Sequence, residues 1–173
     1  MRRIALLFLL LSSLSHAIFV DATLQDSRIV NDNSIYKPEG IVGFALEAGF
    51  FNEAENRVDY TLALGVRRFG YSFSNGDETV DSWAVEFKPL MWSITLWDIS
   101  FETFLGAGTI FAGHQYNNHN MDVNILYGSR LGYRICPQLM AGISYTELYP
   151  LGVSNEMFTL GGWGINLQYS LPW

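Results

Sequence analysis

The stretch Leu160–Trp173 reads LGGWGINLQYSLPW. From Trp163 onward every second residue is apolar or aromatic: Trp163, Ile165, Leu167, Tyr169, Leu171 and Trp173. Between them stand Gly164, Asn166, Gln168, Ser170 and Pro172. A period of two belongs to extended backbone, with one greasy face and one small or polar face. In water, such a face needs a second layer of protein to cover it. A strand with hydrocarbon on one side and a polar interior on the other needs no cover. Any fold for this chain has to accommodate that face.

The same alternation recurs along the chain. Ile18–Val30 sets Ile18, Val20, Ala22 and Leu24 against Phe19, Asp21, Thr23 and Gln25, until Asp26 interrupts the apolar row. Ile41–Phe51 puts Val42, Phe44, Leu46, Ala48 and Phe50 opposite Gly43, Ala45, Glu47 and Gly49. Further rows start at Val58, Trp83, Ile99, Met121 and Leu139. Counting the last, eight strands of about 11 to 14 residues are predicted, long enough to cross a bilayer when tilted. Short turns are expected near Asn52, around Ser93 to Asp98 and near Pro137, with Pro89 near a strand end where its missing N–H does least harm. Longer, more polar loops are expected at 31–40, 70–79, 113–120 and 149–157. The predicted fold is all-β, an eight-stranded antiparallel up-and-down transmembrane β-barrel. Without Ile18–Val30 the strand count would be odd and the closure argument would fail. Bacterial barrels of this kind keep short turns in the periplasm and long loops outside. The soluble competitor is a periplasmic β-sandwich or lipocalin-like carrier.

The first residues, MRRIALLFLLLSSLSHA, are expected to be an export signal. Arg2 and Arg3 supply its basic start, Ile4–Leu11 its apolar run and Ser15-His16-Ala17 its cleavage site. That leaves 18–173 as one barrel domain in the outer membrane of a Gram-negative envelope. No later segment has the 18 uninterrupted apolar residues of a membrane helix. The 16 glycines and 15% aromatic content favour strands over helices. Cys136 is the only cysteine, so no disulfide can form within the chain. A net charge of −7 argues against a nucleic-acid partner. The expected partners are outer-membrane lipids, lipopolysaccharide and the barrel assembly machinery, the last through the strand ending at Trp173.

The inward rows carry charge. They include Glu47, Asp59, Arg67, Glu86, Lys88, Glu102, Asp122, Arg130 and Arg134, five acids and four bases. Buried singly each would be costly, so they should pair in a polar network inside the barrel. A narrow ion or proton path is the functional alternative. The aromatic residues Tyr60, Trp83, Trp92, Trp97, Tyr133, Tyr149, Trp163, Tyr169 and Trp173 fall near strand ends, as interfacial girdles do. His114 and His119 share one polar loop, a spacing that loop polarity alone explains, so no metal or cofactor is expected. No GxSxG, HExxH or phosphate-loop pattern occurs.

Several runs resemble the PagL-type lipid A 3-O-deacylases. They are Phe87-Lys88-Pro89, Phe101–Gly108 (FETFLGAG), Tyr127–Gly132 (YGSRLG) and the closing Tyr169–Trp173 (YSLPW). The resemblance implies an eight-stranded barrel and, for an active member, hydrolysis of a lipid A acyl ester. That family uses a His-x-Ser-Asn motif; the matching stretch here is Ser144-Tyr145-Thr146-Glu147. Thr146 could replace the nucleophile, but Ser144 cannot act as its base. Glu147 is a candidate acid, and His114 or His119 a candidate base from a neighbouring loop. The expected function is accordingly a non-catalytic outer-membrane barrel acting through its outer loops, with the esterase as alternative.

Overall fold

A computed structural model of the chain describes residues 17–30, 39–54, 57–72, 79–113, 123–151 and 159–171. These form β1 (Ala17–Ile29), β2 (Glu39–Ala54), β3 (Arg57–Ser72), β4 (Thr79–Leu96), β5 (Ile99–Gly113), β6 (Val123–Cys136), β7 (Leu139–Pro150) and β8 (Leu160–Leu171). Each strand pairs antiparallel with the next, and β1 pairs with β8, so the sheet closes into a barrel. Ile18–Val30 therefore contributes a true strand. Its Asp26 stays outside and pairs with Arg28 on the same face. Closure removes the two free edges that an eight-stranded open sheet would expose. Residues 1–16 of the expected leader and the terminal Trp173 lie outside the described residues.

The structure corrects the sequence reading of β4. The turn expected around Ser93 to Asp98 falls within that range but is tighter: β4 runs on to Leu96, and the turn is Trp97-Asp98, with Trp97 at φ 55°. Pro89 is thus in mid-strand. The β4–β5 register shifts between Phe87 and Leu90, which places the ring where no ladder N–H is required. The shift also resets the alternation: Lys88 faces in, Pro89 and Leu90 both face out, and Met91 faces in. Strands run into all four expected loops as well, β2 from Glu39 and β5 to Gly113 among them. β3 continues through Ser72 with Phe69 buried, and β7 continues to Pro150.

The interior is layered. Phe19, Phe51, Met91 and Met140 fill the end with the short turns, while Ile29, Phe69, Leu126 and Leu148 fill the other. Charged and amide side chains occupy the level between. Glycines make room for the rings: a Cβ on Gly49 would stand 2.6 Å from the Phe19 ring, and one on Gly128 2.6 Å from Phe104. The outer wall is the reverse. Thirty large apolar or aromatic side chains among the described residues are exposed, from Val20 on β1 to Leu171 on β8.

Candidate functional site

The middle layer gathers around Arg130 of β6. Its guanidinium lies 2.8 Å from Glu47 on β2, 3.4 Å from Glu102 on β5 and 3.4 Å from Asp21 on β1. It also donates to the side-chain oxygen of Gln168 on β8 at 2.9 Å. One side chain thus braces five strands across the barrel. Lys88 of β4 pairs with Glu47 and sits 4.1 Å from the centre of the Phe104 ring. Asn166 donates to Asp21 at 3.0 Å, and so does the Thr23 hydroxyl at 2.8 Å. A second group lies toward the long-loop end. There Arg67 donates to both carboxylate oxygens of Glu86 and to Gln25.

All of these groups are at least nine-tenths buried. In so dry a setting an ion pair is favourable only if hydrogen bonds serve the remaining lone pairs and N–H groups. The Arg67–Glu86 pair is balanced. The Arg130 group holds three carboxylates (Asp21, Glu47 and Glu102) against two cations, Arg130 and Lys88. Three of its buried atoms, Glu102 Oε1, Arg130 Nε and Asn166 Oδ1, have no hydrogen-bond partner among the described residues. Such a layer braces the wall and fixes strand register. Phe19, Phe51, Met91 and Met140 lie to one side of it and Leu126 and Leu148 to the other.

Of the interior charges read from sequence, Glu47, Arg67, Glu86, Lys88, Glu102 and Arg130 meet in these two groups. Arg134 stays apart, beside Asp98, Ser100 and Gln138 at the short-turn end. Asp122 and the side chain of Asp59 lie outside what is described. Asp21 is absent from the list drawn from sequence although it sits at the centre. The signal was there: it shares the inward row of β1 with Phe19, Thr23 and Gln25, all buried.

The esterase candidates separate. Ser144 and Thr146 face the interior, 5% and 4% exposed. Glu147 faces outward near the long-loop end, where its two carboxylate oxygens accept the hydroxyls of Tyr127 and Tyr145. The three do not share a face, so a hydroxyl of this set and Glu147 cannot act on one ester. His114 and His119 lie outside the described residues. Among the described residues, no grouping of His, Cys, Asp and Glu suits a metal ion.

No protein family matches the sequence, and no curated protein sequence matches it. Solved structures do. The attachment invasion locus protein Ail of Yersinia pestis superposes with a TM-score of 0.52 at 16% identity, over 90% of this chain and 97% of that one. A backbone structure of the Yersinia pestis outer membrane protein Ail in a phospholipid bilayer nanodisc gives 0.49 at 16% identity, over 88% and 99%. Neisserial surface protein A gives 0.49 at 10% identity, over 90% and 96%. The chain has the closed eight-stranded antiparallel barrel architecture found in Ail.

Proposed function

We propose that the chain is an integral outer-membrane β-barrel with a structural or surface-interaction role carried by its outer loops. The observation that supports this most is the inversion of its two faces. Exposed apolar residues encircle the barrel, including Val42 at 71%, Ile165 at 64% and Ile94 at 66%. Soluble monomers rarely expose contiguous apolar area beyond a few hundred Å². The packed ionic interior leaves a brace where a channel would be, which points to the loops as the working surface. Export of the chain by its first 17 residues and assembly through the final strand belong to the same reading, as do the surrounding lipids and lipopolysaccharide.

The test is fractionation of cells expressing the full chain. The protein should remain with outer membranes until detergent is added, and should migrate faster on gels unheated than boiled. Release into aqueous buffer as a monomer would end the proposal.

Lipid A ester hydrolysis is the second reading, supported by the PagL-like runs. The inward Ser144 and Thr146 hydroxyls count against it, because an acyl ester outside the barrel cannot reach them. Mass spectrometry of lipid A from cells with and without the protein decides. A lost acyl chain that returns when His114 or His119 is substituted would establish the enzyme.

A further inference from the structure

The Arg130 layer ties strands together but leaves a remainder, and that remainder has a definite chemistry. Nη1 of Arg130 donates to Glu102 Oε2 and to Gln168 Oε1, and Nη2 donates to Glu47 Oε1. The third nitrogen, Nε, carries one N–H that no described residue accepts. Glu102 turns only Oε2 to Arg130, and its other oxygen, Oε1, has no donor among the described residues. Asn166 donates from Nδ2 to Asp21, while its carbonyl oxygen Oδ1 has no donor there either. What is left over is one donor and two acceptors, on side chains 1% to 4% exposed.

The three side chains are neighbours. Glu102 and Arg130 face each other across the β5–β6 ladder. Asp21 links Arg130 to Asn166, one of its oxygens 3.4 Å from the guanidinium and the other 3.0 Å from the amide nitrogen. β7 runs between Arg130 and Asn166, and its inward residues there are small: Ser144 opposite Arg130 and Gly142 opposite Asn166. A Cβ on Gly142 would stand 3.0 Å from Asn166 Oδ1. No long side chain of β7 therefore comes between the leftover groups. Buried polar groups without partners are costly in so low a dielectric, and here three of them converge.

We propose that this corner of the lumen binds one ordered water molecule, held by Arg130, Glu102 and Asn166. The water accepts the Arg130 Nε–H and donates its two hydrogens to Glu102 Oε1 and Asn166 Oδ1. About three hydrogen bonds are the usual complement of a buried water, and this one uses each leftover group once. The mixture of groups selects the ligand. A metal cation or an ammonium would serve the two oxygens, but neither accepts a hydrogen bond from Arg130. An anion would accept that bond and meet three carboxylates. Water both accepts and donates, and it completes the brace without adding charge. The site belongs to the interior, so it is independent of the loop-borne role proposed above and of what surrounds the outer wall.

The experiment uses the full chain in mild detergent, isotope-labelled at its arginine nitrogens. NMR follows magnetisation transfer from water to each arginine Nε–H, and a crystal structure of the same protein locates ordered solvent. The expected result is a water cross-peak at the Arg130 Nε–H and one solvent peak within about 3.2 Å of all three atoms. The Arg67 Nε–H bonds Glu86 directly and should show no water cross-peak. Asn166→Leu removes one acceptor and fills its space; it should abolish the Arg130 cross-peak and leave the Arg67 signal in place. Should that variant fail to fold, the unaltered protein still decides. An Arg130 Nε–H without water contact, or a cross-peak unchanged in a folded Asn166→Leu, overturns the site. So does a thallium ion found at that point when thallium replaces sodium, since a cation would then be the ligand.

Discussion

The middle of the barrel and its outer wall use the same backbone for opposite chemistry. At the level of Arg130, buried side chains are ionic and tied to one another across the lumen. A few ångströms away, on the other face of the same strands, Leu131, Ile143 and Ile165 are bare. In a water-soluble sheet the two inventories would be exchanged. The difference shows that the period-two alternation carries no inside or outside by itself; the solvent chosen for one face decides the other. An apolar outer wall leaves most of the charge to the small, closed interior, and closure then forces those charges to find each other.

Four measurements probe that contrast, each by unfolding in a lipid or mild-detergent host. Removing Arg130 should have the largest effect. Arg130→Ala leaves Asp21, Glu47 and Glu102 facing Lys88 alone, and should cost about 3–5 kcal/mol of stability. A loss under 1 kcal/mol would mean that water reaches the layer and the interior is not a dry brace. Next, Ile165→Arg puts a cation in the middle of β8 on the outer face. It should cost about 2–4 kcal/mol in a bilayer, whereas Tyr149→Arg near the rim should cost at most about 1. Equal, small losses at both positions would remove the case for hydrocarbon contact.

A double-mutant cycle on Arg67→Met and Glu86→Gln should give a coupling of about 0.5–3 kcal/mol, with the double variant less damaged than the single losses sum to. Additive losses would show that the two side chains do not work as a pair. The smallest effect is at the bulge. Pro89→Ala should lower stability by about 0.4–1 kcal/mol, through the freer unfolded chain alone, because the β4–β5 register already avoids an N–H there. A much larger drop would make Pro89 the cause of the shift and not merely its tenant.

Much of this architecture is visible in the residue order. Seven of the strands announce themselves by alternation, because their outward rows hold few polar residues. β1 was harder, since Asp26 and Arg28 stand in its outward row; they are tolerated near the rim because they pair. Pro89 misled because a bulge depends on the partner strand, and β5 offers nothing in its own sequence to mark the shift. The interior partners were unreadable for a related reason. Which residues face in follows from parity, but which carboxylate Arg130 meets depends on stagger between strands: Glu47 is 83 residues away and reaches it only across the closed lumen. The outer cluster of Glu147 with Tyr127 and Tyr145 is hidden for the same reason, since Tyr127 meets Glu147 only through the β6–β7 register.

The β1–β8 seam has a consequence for how the molecule comes into being. Its two strands come from opposite ends of the chain, and the Asn166–Asp21 bond that bridges them spans 145 positions. Gln168, which steadies Arg130, also arrives with the last strand. Until β8 docks, the Arg130 cluster cannot be complete, and its members can keep their hydration. Shutting the cylinder and drying its ionic girder are therefore one event, and a chain cut short before Leu160 would be left with two raw margins and an unfinished strut.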